Sequence, residues 1–285
     1  MIPRRSLLFA PANRPEVHAK ALAAAPDVLC LDLEDAVPPA AKAEARAVAR
    51  AFLLAWDGSG PERAVRINSL RGLEGWRDMA AILSDAPGQG VVFLPKVMDA
   101  GEVRLAGDLL AASAPGLRLG VLIETAEGLE NVAAILTASN RIAFAMFGGV
   151  DLAADLGVTM THEPLLYARS RLVHASARAG VDVFDVPCLA FRDEAAIAAE
   201  AQAARALGFT GKAALHPAGL APIHAAFAPS AEDVAKAQRF IAAYRSSPNG
   251  LATVDGKLVE KPVVRAMERI LALHDRIPPA TETQT

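Results

Sequence analysis

The sequence predicts an α/β fold, a (β/α)8 TIM barrel with a C-terminal helical and hairpin extension as a lid, and three observations carry that expectation. Eight short runs rich in Val, Ile, Leu and Phe recur along the chain, each followed by an Ala-rich stretch of helical spacing, the pattern of repeated βα units. The runs are nearly continuous in apolar residues, as strands of a parallel sheet covered on both faces must be. Finally, the turn after the first run reads PANRPE, and no GxGxxG or Walker-type loop occurs anywhere, whereas an open doubly wound sheet would usually carry a glycine-rich phosphate turn there.

In order, the expected strands are SLLFA (6–10), DVLCLDL (27–33), RAVRIN (63–68), GVVFLPK (90–96), LGVLIE (119–124), RIAFAMF (141–147), VDVFDV (181–186) and GKAALH (211–216). Such a barrel takes ~250 residues, so the 285 here accommodate one barrel, assigned to 1–225, and an appendage over 226–275 that is open to exchange between subunits. Within the appendage, Ser230 and Asp233 form a capping-box pattern ahead of an apolar stripe of Val234, Ala237, Ile241 and Tyr244. TVDGKLVE (253–260) carries an Asp-Gly pair suited to a tight hairpin, and Pro262 opens a last helix with Val264, Met267 and Leu271 on one face. Residues 276–285, ending PPATETQT, read as a frayed, disordered tail.

Composition narrows the function classes. The formal charge is −3 with acids and bases interspersed, so there is no basic stripe for a nucleic-acid backbone or an anionic membrane. Cys30 and Cys188 lie in separate apolar runs and suggest neither a disulfide framework nor a thiolate metal site. The start MIPRRSLLFAPANRPE resembles a twin-arginine signal, but Pro11, Asn13, Arg14 and Pro15 interrupt its apolar stretch; a cytoplasmic protein without membrane spans is expected.

In a barrel of this kind the active site lies where strands end and βα loops begin. Those ends are unusually charged here: Asp32, Glu34 and Asp35 after the second run, Arg66 and Asn68 after the third, Lys96 after the fourth, Glu124 after the fifth, Asp151 after the sixth, and Lys212 and His216 at the eighth. Ion-pair networks also decorate such rims, but convergence from several strands on one mouth favours a site. Glu124 and Asp151 come from adjacent strands and would repel unless a proton or cation lay between them. Their hard oxygens suit Mg2+, which takes one or two carboxylates and fills its shell with water and substrate oxygens. Arg66 offers a planar fork able to clamp a carboxylate bidentately. Zinc is disfavoured, because the histidines show no HExxH or other close paired spacing. His216 reads as a rim histidine rather than a ligand or base, and Cys188 as a core thiol. Gly148 and Gly149 fit either an anion approached by backbone amides or a crowded turn.

The motifs RRSLLFAPANRPE, VLCLDLEDAV, AVRIN, FLPKV, LIETAEGL, FGGVDLAADLG and LGFTGKAALHP, in this order, resemble the citrate lyase beta-subunit-like branch of the HpcH/HpaI aldolase and citrate lyase family, over about Arg4 to Arg269. The resemblance implies a barrel enzyme performing Mg2+-dependent aldol or Claisen chemistry on CoA thioesters, as a homotrimer or hexamer. It matches Glu124 and Asp151 to metal ligands, Arg66 to the substrate-carboxylate arginine, and Glu34, with Asp35 beside it, to acids behind the metal's waters. Asn13, Arg14 and Lys96 fall at positions that approach the substrate or CoA. Departures from the family pattern are Ala12, Val150 and Gly219. The C-terminal motif reads LVEKP rather than MVD-x-P, which puts Glu260 where the family has an Asp that reaches a neighbouring subunit's site as the catalytic acid.

The expected reaction is cleavage of a 3-hydroxy-3-carboxyacyl-CoA of the malyl- or citramalyl-CoA type to a 2-oxo acid and an acyl-CoA. Alternatives are a malate-synthase-like condensation, a citrate lyase beta subunit that needs an acyl-carrier partner, and a pyruvate-class aldolase acting without CoA.

Overall fold

The computed structural model describes residues 3–247 and 249–277. Eight strands, β1 (Ser6–Pro11), β2 (Val28–Asp32), β3 (Glu62–Arg66), β4 (Gly90–Leu94), β5 (Leu117–Ile123), β6 (Ile142–Phe147), β7 (Asp182–Asp185) and β8 (Gly211–Ala214), close into a barrel in sequence order. Every pairing is parallel, including β8 back onto β1. Each of the eight runs expected from sequence is found, so the α/β barrel is the fold. Six of the eight strands end sooner than the apolar runs suggest, β1 and β6 excepted. Glu34, Asn68, Lys96 and His216 stand beyond the last paired residue, in the βα loops.

Helices α1 (Pro15–Ala23), α2 (Lys42–Leu54), α3 (Leu73–Leu83) and α4 (Ala100–Ser113) follow the first four strands. The fifth crossover is made of two short pieces, α5 (Ala126–Glu130) and α6 (Val132–Ile135), and the sixth of α7 (Gly149–Leu156) and α8 (His162–Ala179). Next come α9 (Glu194–Leu207) and, after β8, α10 (Leu220–Phe227). Asp99 and Asp193 cap α4 and α9 with side-chain bonds to first-turn amides.

Period-two alternation decides what fills the barrel. Leu7, Val28, Cys30, Ala64, Val91, Phe93, Leu122, Phe144, Met146 and Phe184 point inward and pack together. Phe93, Phe144 and Phe184 meet edge to face at centroid spacings of 5.2 Å, a geometry that adds to their apolar burial. The N-terminal end of the barrel is closed by ion pairs. Arg4 forks onto Glu62 at 2.6 and 2.9 Å and reaches Asp182 at 3.0 Å, while Arg5 grips Asp27 through Nε and Nη2, each at 2.9 Å.

The chain divides into two compact units, Arg4–Ala226 and another that contains the residues from Phe227 on. In the second unit, α11 (Ala231–Ser246) begins at a complete capping box between Ser230 and Asp233. Strands β9 (Ala252–Val254) and β10 (Lys257–Val259) pair antiparallel across Asp255 and Gly256, whose φ values of 51° and 71° are those a two-residue hairpin turn needs. The last helix, α12 (Lys261–His274), has Pro262 in its first turn. Phe240, Ile241, Val259 and Val264 form this unit's core, with Tyr244, Met267 and Leu271 against it. The expected frayed tail falls largely on residues 278–285, outside the described residues. Among the described residues, no helix is long and apolar enough to cross a membrane.

Candidate active site

The alternation that builds the barrel interior also builds its mouth. Asp32 continues the inward series Val28, Cys30; Arg66 follows Ala64; Glu124 follows Leu122. Each therefore turns its side chain toward the barrel axis at the C-terminal end. Asp151 arrives differently, from the first turn of α7. A cavity of about 510 Å3 opens there, walled by Asp32, Asp35, Arg66, Glu124 and Asp151 together with Phe9, Leu122, Met146, Val150, Val186, Pro187 and Leu215.

Register brings Asp32 and Arg66 side by side, since they are direct partners across β2 and β3. The guanidinium gives Nε and Nη2 to the two oxygens of Asp32, at 2.7 and 2.6 Å. Asp32 in turn accepts the backbone N–H groups of Glu34 and Ala36. Arg66 also lies over the Phe9 ring, 5.2 Å from its centroid. Burial works against its charge, but the Asp32 bonds and the nearby Glu34 outweigh that and hold its pKa above the ordinary arginine value. This corrects the expectation of a free fork: the bidentate edge of Arg66 is taken by Asp32. What remains for a ligand is Nη1, which stands 3.1 Å from Glu34 Oε2.

Glu124 is 1% exposed. Its Oε1 accepts the backbone N–H of Lys96 at 2.8 Å. Burial, the charge of Glu34, and the hydrogen bond and charge of Asp151 push its pKa up to about 9, against only partial relief from Arg66. At neutral pH the metal-free site therefore keeps a proton on Glu124, shared with Asp151. Gly148 makes room for this carboxylate: a Cβ there would stand 2.3 Å from Glu124 Cβ and 2.8 Å from Oε2.

Glu34 is buried beside the pair. Lys96 Nζ donates to its Oε1 at 2.7 Å, while Oε2 is buried without a hydrogen bond. Burial raises the Glu34 pKa despite Arg66 and Lys96. The ammonium of Lys42 is turned to the carbonyls of Leu33 and Glu34 and to Asn68 Oδ1, so it supports the loop rather than the cavity. Asn68 is likewise occupied, by Lys42, Leu33 O and Asp78.

The structure thus gathers Arg66, Glu124, Asp151 and Asp35 around one cavity and sets Glu34 and Lys96 directly behind it. It does not put Asn13 or Arg14 in that wall: Arg14 pairs with Glu16 at 2.9 Å in an exposed position. Glu260 is exposed and stands at the N-cap of α12, in the second unit. His216 Nδ1 accepts the Ala218 amide as a local cap. Lys212 is fully buried against Asp185 and Val186 O. Both cysteines are free and buried. Two features escaped the sequence reading. Asp32 has no site role by residue type alone, and its inward parity at the strand end is the sequence signal for one. The apolar wall draws one or two residues at a time from several strands, loops and a helix, and no local pattern marks it.

Whether the mouth fits a divalent ion follows from its charges. Asp32, Glu34, Asp35, Glu124 and Asp151 face Arg66 and Lys96, with Lys42 turned away, so acid exceeds base in a largely buried place. Among the described residues, no three His, Cys, Asp or Glu side chains converge in a metal-binding group. Two carboxylates with room for water and ligand oxygens suit Mg2+, and a closed four-ligand zinc site does not fit.

Comparison with known proteins gives the family of the chain. The citrate lyase subunit beta-like protein of Deinococcus radiodurans is 34% identical over 280 residues, covering 95% of this chain and 97% of its own. The (3S)-malyl-CoA thioesterase of Cereibacter sphaeroides is 34% identical over 280 residues, covering 96% of both chains. Among solved structures, CitE of Mycobacterium tuberculosis, in complex with magnesium, acetoacetate and coenzyme A, superposes with a TM-score of 0.81 at 33% identity, over 95% of this chain and 98% of its own. The profile of one family, HpcH/HpaI aldolase/citrate lyase, matches residues 5–217, so the barrel and every charged group at its mouth lie within the matched span, and the chain belongs to that family.

Proposed function

We propose that this protein is a Mg2+-dependent carbon–carbon lyase that cleaves a 3-hydroxy-3-carboxyacyl-CoA thioester of the malyl- or citramalyl-CoA type to a 2-oxo acid and an acyl-CoA. The observation that carries the reading is the pairing of buried Glu124 with Asp151 beside Arg66 in one cavity. The magnesium, acetoacetate and coenzyme A held by the related CitE support the same cofactor and ligand classes.

Glu124 and Asp151 would hold the ion. When bound, Mg2+ supplies electrostatic stabilisation of the oxygen charge that grows as the bond breaks. The chain's own groups do the rest. Arg66 offers Nη1 to the substrate carboxylate, and Asp32 fixes the plane in which it does so. Leu122, Met146 and Val186 keep water from the reacting carbons. Cleavage would give the C3 hydroxyl proton to water in the cavity, turn that oxygen into the ketone of the 2-oxo acid, and pass the C2–C3 bonding pair to the thioester fragment as an enolate, which takes a proton on carbon. The resemblance assigns that proton to Glu260, one methylene longer than the family's Asp.

A second reading has its own support, because one relative is named a thioesterase. A panel of 3-hydroxyacyl-CoA thioesters, assayed for 2-oxo acid and for free thiol with and without Mg2+, separates the two. A lyase releases 2-oxo acid and no thiol; a thioesterase releases thiol and leaves the hydroxy acid intact. Condensation of an acyl-CoA with a 2-oxo acid is the reverse reaction, and the same panel run from products measures it. Activity only after addition of an acyl-carrier protein would make the chain a lyase subunit, and release of 2-oxo acid from non-thioester substrates would make it a pyruvate-class aldolase.

A further inference from the structure

Four non-glycine residues among those described have left-handed backbone: Ala25, Ala86, Lys96 and Asp255. Ala25 and Ala86 follow the ends of α1 and α3, and Asp255 turns the β9–β10 hairpin, where such conformations recur. Lys96 is different. It follows β4 at the barrel mouth, with φ at 52°, and lysine has no preference for that region. Strain of this kind persists where the surroundings enforce it, and it concentrates at functional sites.

The consequence of the turn is visible in one bond. The N–H of Lys96 points at Glu124 Oε1 and donates at 2.8 Å. Among the described residues no other N–H donates to that carboxyl. The side chain explains what keeps the turn in place: Nζ is tied to Glu34 Oε1 at 2.7 Å. Lys96 itself is not in the wall of the 510 Å3 cavity, so it acts there through Glu124.

We propose that Lys96 is a positioning residue that aims the Glu124 carboxyl at the divalent ion through its left-handed backbone N–H, with the Glu34 ion pair anchoring that backbone. The proposal rests on the reading of Glu124 as a metal ligand. It differs from the sequence expectation, which put Lys96 against substrate or CoA.

The test separates backbone from charge. Lys96→Gly, Lys96→Asn and Lys96→Val all lose the ammonium, so its electrostatic effect cancels among them. Gly and Asn accept positive φ, whereas a β-branched residue resists it. Mn2+ binding to the intact, substrate-free protein is read by calorimetry and by the electron paramagnetic resonance signal of free Mn2+, alongside circular dichroism to select folded protein. The expected order is Gly equal to Asn, with Val weaker by roughly 10-fold or more, the size of effect typical for residues that orient metal ligands. Should the Val variant not fold, Lys96→Ala takes its place and is expected to bind Mn2+ more weakly than both Gly and Asn. Equal Mn2+ affinity across the series would overturn the proposal while leaving the metal site standing. Absence of Mn2+ binding by the wild type, or binding unaffected by Glu124→Gln, would overturn the metal reading and this inference with it.

Discussion

The two ends of the barrel use the same residue types to opposite effect. At the N-terminal floor, Arg4 bridges Glu62, Asp182 and the Ala143 carbonyl, and Arg5 closes on Asp27 through three bonds. Arg118 adds a further positive charge facing Glu62 and Asp182. Carboxylates there are matched by guanidinium groups, and the Arg4 pairs link segments 58 and 178 residues apart. At the mouth, Asp32 is matched by Arg66 and Glu34 by Lys96, while Glu124 and Asp151 press against each other with no cation of their own and burial forces a proton onto Glu124. Matched buried charges lock strands together; unmatched ones are retained at a cost in stability that a bound cation can relieve. The floor is where this barrel is fastened, and the mouth is where the proposed site lies.

Substitutions can break that contrast. The largest effect is expected at the mouth: Glu124→Gln or Asp151→Asn should lower turnover by about 10³-fold or more, the scale of several kcal/mol of charge stabilisation. Neither should lower the melting temperature of the metal-free protein, since each replaces a buried carboxyl that must otherwise take up or share a proton; thermal melts beside steady-state assays check both halves. Arg4→Ala should do the reverse. Leaving Glu62 and Asp182 unpaired is expected to cost about 3–5 kcal/mol of stability, measured by denaturant unfolding, with turnover per folded molecule unchanged.

Asp32→Asn probes the bidentate pair at the mouth. With its fork released, Arg66 loses its fixed plane, and kcat/KM is expected to fall about 10²-fold, as for a misplacement of about 1 Å, with a smaller change in unfolding free energy than Arg4→Ala gives. The smallest effect is in the floor's pH response. His224 Nε2 and Ser6 Oγ share a hydrogen bond of 2.7 Å, with Asp27 and Arg5 as the charged neighbours of the ring; burial lowers its pKa, and Arg5 adds to this against Asp27. The unfolded chain then binds the proton more readily, so stability present above the ordinary histidine pKa, 6.5, is lost as the pH falls through the depressed folded value. His224→Gln should flatten the melting temperature between neutral pH and pH 5.

The barrel and the convergence at its mouth could be read from residue order alone because both rest on short-range rules. Alternation sends every second residue inward, and parallel strands all end on the same face, so Glu124, Asp151 and Arg66 had to meet near one opening. What escaped depends on register and backbone torsion. That Asp32 and Arg66 are direct partners follows from the β2–β3 offset, which neither strand encodes by itself. The left-handed turn at Lys96 has no signature in the residue that adopts it. Lys42 reaches the mouth from α2 across the length of a loop, and its buried ammonium looks in sequence like any charge on a helix surface. Glu260 was assigned through family resemblance, and its own unit folds around a separate core.

Anomalous diffraction from crystals grown with Mn2+ in place of Mg2+ decides whether the unmatched carboxylates hold a cation. One strong peak between the carboxyls of Glu124 and Asp151, lost in Glu124→Gln, is the expected result. No peak there, or a peak that survives the substitution, would contradict a metal-dependent site at the barrel mouth.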